Sequence, residues 1–442
     1  LTLWKERDNR SPLIVNGARQ VGKTTLIQDF SKEFDNFIYL NLEEKQHQGL
    51  FNQNDDVVDI LQILQLRQGI RNTKRSTLLF IDEIQHVPKA IQQLRYFKEK
   101  LPEVHVVAAG SLLEFALGEV KSFPVGRVEF MDVFPMNFME FLSALDRTDL
   151  QQILEQSNDP KLAHNILLEL FNEYVIVGGM PEILDNYSTE RDLISIQPIY
   201  KKLTRAYIND FEKYGSNKSQ QKILRLILNS LPSTVGTRIK LSKIGGTEYR
   251  ATAVSEAFSD LEKAGLLRRI YPTSDTIIPA QLKYNRRPKL QFLDTGLLIN
   301  EMGIIDLLIP LKDLNDHSKG KIVEHMIIQE IISMDIIGNR KEMFWTREKI
   351  TSQAEIDIIY QHQQYLIPIE VKSGAIGKLK SLHLFMNQAP HHFAIRMYAG
   401  KFHVQDVISS TGKQYKLLNL PYYLGTQLKR YCQWFIDNHP MK

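Results

Sequence analysis

A chain of 442 residues, 43% hydrophobic and 24% charged, is too long for one hydrophobic core and too ordinary in composition for a disordered or repeat protein. Its single cysteine, Cys432, excludes an internal disulfide framework and a cysteine-built zinc centre. The net charge is only +4, yet residues 220–290 hold 13 Lys or Arg against 5 Asp or Glu, leaving the rest of the chain at −4. Such a block suits a nucleic-acid backbone, and it equally describes a solvated basic face with no partner. No run approaches the roughly 18 apolar residues of a membrane span. Charges also stand where a signal peptide needs its apolar segment, so a cytoplasmic protein without membrane contact is expected.

The first element is a short strand, PLIVN, that leads into GARQVGKT and then a helix-period pattern. Gly17, Ala18, Arg19, Gln20, Val21, Gly22, Lys23, Thr24 and Thr25 are the expected ATP-binding residues. The glycines let backbone N–H groups wrap a polyphosphate, and the helix N-terminus faces its charge. Lys23 bridges the β- and γ-phosphates, and Thr24 offers its hydroxyl to Mg²⁺. A second strand, TLLFIDEIQ, ends in Asp82 for the magnesium shell and Glu83 to orient or deprotonate the attacking water. That pair argues for hydrolysis over binding alone.

A third strand, VHVVAAGS, ends in Ser111, placed either to contact the γ-phosphate or as a plain turn serine. Arg127 in SFPVGRVEF is a candidate for stabilising transition-state charge, in cis or from a neighbouring subunit, or a structural partner for a nearby acid. FIYLNLEE and VEFMDVF complete a five-stranded parallel sheet flanked by helices.

After Phe134 the period becomes helical through MNFMEFLSAL, LQQILEQ and LAHNILLELFNEYVIVGG, which suggests a lid over the nucleotide. Gly178-Gly179-Met180-Pro181 breaks this run, and a helix is expected to resume over 193–214. The basic block reads helix, short helix, longer helix and strand pair, the order of a winged helix-turn-helix. Tyr249, Arg250 and Thr252 stand near the start of the third helix, with Lys240 and Lys243 for phosphates. Such modules also serve only to pack against other domains.

The last block holds GKIVEHMIIQEIISM, a helix with Glu324 and Glu330 in an apolar pattern, and two strands ending in Tyr360 and beginning at Tyr365 around a QHQQ turn. Pairing Tyr360 with Tyr365 sets Asp357 opposite Pro368, with Glu370 and Lys372 on the same face. Asp357, Glu370 and Lys372 then converge. Two carboxylates held together favour Mg²⁺ or Mn²⁺ between them, with Glu324 completing the shell and Lys372 activating water; a plain Glu370–Lys372 surface pair is the alternative.

The order helix Glu, hairpin Asp, Glu-x-Lys resembles the PD-(D/E)XK nucleases, although Asp357 follows Ile356 where that superfamily has a Pro-Asp pair. GARQVGKT, LLFIDEIQ, AAGSLLEF, PVGRVEF, GGMPE, FLDTGLL and IEVKSG together resemble a large prokaryotic family of AAA-type ATPases with a C-terminal nuclease-related domain of unknown function. The resemblance spans nearly the whole chain. It implies an α/β fold: a P-loop AAA-type ATPase core of the ASCE class (1–135), a helical lid (136–215), a winged helix-turn-helix (216–287) and a restriction-endonuclease-like α/β domain (288–442). The expected function is ATP hydrolysis that repositions a DNA-binding, metal-dependent DNA-cleaving half, with homo-oligomers as in related ATPases. A nucleotide-gated switch or scaffold whose nuclease-like domain only binds a partner is the alternative.

Overall fold

The computed structural model describes residues 1–70, 75–111, 113, 126–157, 159–214, 218–240, 244, 249–305, 317–338, 340–347, 354–372 and 379–440. Its chain forms two compact units. Unit 1 comprises Leu1–Phe134, Lys263–Leu266 and Asp335–Asn339; unit 2 comprises Pro135–Glu262, Leu267–Met334 and Arg340–Lys442.

Unit 1 is built on five parallel strands, β1 (Leu13–Asn16), β2 (Asn36–Asn41), β3 (Thr77–Asp82), β4 (His105–Gly110) and β5 (Glu129–Asp132), in the order β2-β3-β4-β1-β5. Side-chain alternation divides each strand between two apolar layers. Ile14, Leu79, Ile81, Val106 and Ala108 pack on one face with Ile60, Leu64, Ile91 and Leu94 from the helices Val57–Gln68 and Pro88–Lys100. Leu13, Val15, Leu78, Phe80, Val107 and Ala109 pack on the other with Trp4 and with Ile27 and Phe30 of the helix Lys23–Phe30. Each such buried Val, Leu, Ile or Phe side chain contributes roughly 1.5–3 kcal/mol. Strand β4 lies between the phosphate-loop strand β1 and the acidic strand β3, so a single strand end separates the two motifs.

Unit 2 starts with helices. Phe138–Ala144 begins in a capping box, with the Asn137 side chain accepting from Glu140 N and the Glu140 carboxylate accepting from Asn137 N. His164–Val177 stops at Gly178, where φ is +73°. The next helix begins sooner than the sequence suggests, at Pro181, because proline suits a first helical position; it runs to Glu190 and is followed by Ile196–Tyr214. Helices Lys218–Ser230 and Ala251–Lys263 then precede the sheet. The short helix expected between them, Lys243 included, lies mostly outside the described residues.

The sheet of unit 2 has eight strands: β6 (Leu267–Thr273), β7 (Lys289–Phe292), β8 (Met343–Thr346), β9 (Glu355–His362), β10 (Tyr365–Lys372), β11 (Phe393–Tyr398), β12 (His403–Ile408) and β13 (Gln414–Pro421). Their order is β12-β13-β11-β10-β9-β8-β6-β7. A cut at 287/288 would sever a ladder, since β6 pairs antiparallel with β7 and parallel with β8. One face of the sheet buries Trp345, Ile356, Ile359 and Leu366 against Leu382, Phe385 and Met386. The β9–β10 register also differs from the expected one. Tyr365 pairs with His362 and Pro368 with Ile359, not with Asp357, and the ladder ends at Ile369 with Ile358. The hairpin closes over Gln363-Gln364 alone, Gln363 taking φ +51°, and a slip of two residues preserves which face each side chain occupies.

Candidate functional site

In unit 1 the loop after β1 owes its path to backbone freedom. Gly17 has φ +150° and Gly22 +94°, while Gln20 takes +62°. A Cβ on Gly17 would lie 2.4 Å from the Val133 carbonyl, so only glycine fits. Lys23 is buried and its Nζ donates to the carbonyls of Gly17 (2.9 Å) and Ala18 (2.7 Å). Burial pulls its pKa down to about 8, against the opposing charges of Glu83 and Asp82.

Thr24 Oγ1 donates to Asp82 Oδ2 at 2.8 Å, joining the start of the helix Lys23–Phe30 to the end of β3. Tyr39, which the sequence reading passed over, also donates to Asp82 Oδ2, at 3.3 Å. Burial, then the Asp82 charge, pushes its phenol up to about 12. Glu83 follows Asp82 in the left-handed region, φ +52°, and its carboxylate accepts from Gln85 Nε2. Ser111, one residue beyond β4, is buried at the same end of the sheet, because β3 and β4 run in register up to Ile81 and Ala108. Glu83 also groups with Glu43 and His86, their ligand atoms within 4.8 Å of one another.

A hydroxyl, two carboxylates and a buried ammonium around a glycine loop suit a magnesium-bound nucleotide triphosphate. Arg127 is placed elsewhere. It precedes β5, whose Glu129 pairs with Leu13 at the start of β1, the end of the strand away from the loop. There it forms a surface pair with Glu99 at 3.6 Å. The structural alternative for this arginine is therefore the one its position supports within a single chain.

In unit 2 the acids converge as their order suggests, with additions. Asp357 Oδ2 accepts from Val371 N at 2.8 Å, and the Asp357 charge helps raise the pKa of both Glu324 and Glu370, second only to burial. Lys372 pairs with Glu370 Oε1, while Glu370 Oε2 is buried with no hydrogen-bond partner. The sequence reading missed Lys289 on β7 and Glu355 on β9. Lys289 Nζ lies 2.6 Å from Glu324 Oε1, 2.8 Å from Glu355 Oε1 and 4.0 Å from Asp357 Oδ1. Burial opposes its charge, but these carboxylates outweigh burial and hold the ammonium protonated. Nothing in the residues around Lys289 hints at this, since its place follows from the pairing of β7 with β6.

A divalent ion does not fit this arrangement as it stands. Among the described residues, no three of Glu324, Glu355, Asp357 and Glu370 bring ligand atoms within 4.8 Å of one another. An ammonium already stands among the carboxylates.

Two other motifs turn out to be joined. Asp294 of FLDTGLL is fully buried and accepts from Gly179 N (2.7 Å) of GGMPE, Leu297 N (2.8 Å), Gln329 Nε2 (3.1 Å) and Tyr200 Oη (3.2 Å). A Cβ on Gly178 would lie 2.3 Å from Asp294 Oδ1. Glu330 is likewise structural, accepting from Phe138 N (3.1 Å) and Tyr174 Oη (2.8 Å).

The basic block is partly neutralised within unit 2: Arg238 pairs with Glu355, Arg268 with Glu342 and Arg269 with Glu262. Lys240, Tyr249, Arg250 and Thr252 are exposed, as are Tyr284, Arg286 and Arg287 between β6 and β7.

Residues 9–142 match a family model described as "AAA domain", in keeping with the glycine loop and parallel sheet of unit 1. Residues 168–307 and 319–423 match two models each described as a domain of unknown function, DUF8612 and DUF4143. A Haemophilus influenzae protein described as uncharacterized is 23% identical over 244 residues, covering 53% of this chain and 54% of that protein. The chain thus spans about half the length of that curated relative. Solved structures that share similarity include PCH-2 of C. elegans, with a TM-score of 0.27, 14% identity, and 44% of this chain and 58% of that one covered. Drosophila ORC bound to DNA gives a TM-score of 0.26 and 15% identity, with 69% and 93% covered. At these scores neither structure bears on what this chain binds.

Proposed function

We propose that the chain is an ATP-hydrolysing AAA-type protein whose nucleotide state governs how unit 2 engages DNA. The observation that carries the reading is the Thr24–Asp82 hydrogen bond beside buried Lys23, with Glu83 next in sequence. Bound Mg²⁺ would neutralise charge on the β- and γ-phosphates. Around it, Thr24 and Asp82 would hold the ion, Lys23 would bind phosphate oxygens, and Glu83, steadied by Gln85, would accept the proton of the attacking water. Ser111 would approach the same water from the neighbouring strand end.

DNA binding is supported by the exposed residues Lys240, Tyr249, Arg250 and Thr252 and by Tyr284, Arg286 and Arg287, where cations alternate with aromatic rings. The nuclease-like residues enter as part of a binding body and not as a cutting centre, which Lys289 among their carboxylates favours. Calorimetric titration of MgATP into the full chain tests the first claim. Wild type binds and Lys23→Ala does not; equal heats from both would remove the phosphate loop from the account.

A further inference from the structure

The acid cluster of unit 2 contains its own cation. The Lys289 side chain is only 4% exposed, and its Nζ contacts Glu324 and Glu355, with Asp357 at 4.0 Å and the Phe344 ring centroid at 5.1 Å. Two further basic groups complete the balance. Arg238 Nε lies 2.9 Å from Glu355 Oε2, and Lys372 holds Glu370 Oε1. Four carboxylates are thus opposed by three fixed cations, so the cluster has offset most of the desolvation cost that would otherwise draw in a metal ion.

Lys289 is held there by the ladder, since its backbone pairs with Ile270 at the start of β7 and Leu290 beside it is buried. A doubly charged ion entering the same space would meet the ammonium at contact distance, where repulsion in a poorly solvated site is strong. One feature still points to a ligand: the buried Glu370 Oε2 without a partner.

We propose that Lys289 is the resident cation of this cluster and keeps it metal-free, and that a divalent-ion site on Glu324, Asp357 and Glu370 is latent, opening only when that ammonium is withdrawn. The inference deepens the view of unit 2 as a binding body and is independent of ATP hydrolysis, which unit 1 carries.

The test titrates Mn²⁺ into the full-length, nucleotide-free chain and counts free ion by electron paramagnetic resonance. Wild type and the double variant Glu324→Gln, Glu370→Gln bind equal numbers of ions, since any ions they hold lie elsewhere, as near Asp82 and Glu83. Lys289→Met binds one further Mn²⁺ per chain, and adding Glu324→Gln and Glu370→Gln to it removes that ion. Lys289→Gln serves where methionine prevents folding, with circular dichroism and ATP turnover reporting an intact chain. The proposal is overturned if the double variant loses an ion that wild type holds, or if the folded Lys289 variants gain none. The first comparison needs no change at position 289. Because the count uses neither DNA nor nucleotide, its failure is separable from failure of the DNA-binding or ATPase readings.

Discussion

Replacing Asp294 by alanine removes the acceptor that ties GGMPE to FLDTGLL. The side chain takes four hydrogen bonds at 2.7–3.2 Å, two of them from backbone N–H groups. One, from Leu297 N, caps the helix Thr295–Met302 and is worth about 1 kcal/mol. The donors of Gly179 and Gln329 would be left buried without this partner, at about 1–3 kcal/mol each before relaxation, while the Tyr200 hydroxyl keeps the Val177 carbonyl as acceptor. Burial raises the Asp294 pKa, which offsets part of the gain from these bonds in the wild type. The net loss expected is about 3–5 kcal/mol, or roughly 10 °C in the melting temperature of unit 2. Urea denaturation followed by tryptophan fluorescence reads it, since Trp345 lies in the core of unit 2. Asp294→Asn, which keeps one acceptor oxygen but turns a donor toward other donors, should lose about half as much. An Asp294→Ala protein within 1 kcal/mol of wild type would refute the claim that this carboxylate joins the two motifs.

Glu330 is fully buried, and burial pushes its pKa up to about 8 despite hydrogen bonds from Tyr174 and Phe138. The folded protein therefore holds a proton that the unfolded chain releases, and this group's contribution to stability falls as pH rises from about 4.5 to 8. Glu330→Gln should flatten that slope, so the variant gains on wild type by up to about 1.4 kcal/mol per pH unit across the window; parallel urea curves at every pH would exclude it. Arg127→Ala breaks an exposed pair with Glu99 and should alter stability by less than about 1 kcal/mol, with ATP turnover within twofold of wild type. A tenfold loss of turnover would return Arg127 to catalysis from another copy. Exchanging Arg286 and Arg287 for alanine should weaken duplex binding in fluorescence anisotropy and flatten its salt slope by roughly 1.8, about 0.9 per lost phosphate contact. Unchanged slopes would take this segment off the DNA surface.

What could be read from the sequence followed the strength of local constraint. GARQVGKT and FIDE are legible because a phosphate loop needs glycines and acids at fixed spacing beside apolar strands, and Thr24 and Asp82 duly meet. The convergence of Asp357 with Glu370 was legible from period two, and although the strands pair two residues away from the expected register, the Asp357 charge still acts on Glu370. Lys289 and Glu355 were not legible, because their role depends on β6 pairing with both β7 and β8, contacts between segments distant in sequence. The choice between the two readings of Arg127 was not legible for the related reason that a loop's length does not say which end of a sheet it serves. GGMPE stood out as a helix break and FLDTGLL as a motif of the resemblance, but nothing local announces that Asp294 closes onto Gly179.

Single-turnover phosphate release from MgATP, measured for wild type and Glu83→Gln alongside fluorescent-nucleotide affinity, tests the central claim most directly. Glu83 sits on the backbone next to Asp82, whose bond to Thr24 the substitution leaves in place, so affinity should stay within about threefold while release slows by roughly 10²–10⁴. Release at the wild-type rate by a Glu83→Gln protein that binds ATP normally would contradict the account, because no water-activating carboxylate would then stand at the end of β3.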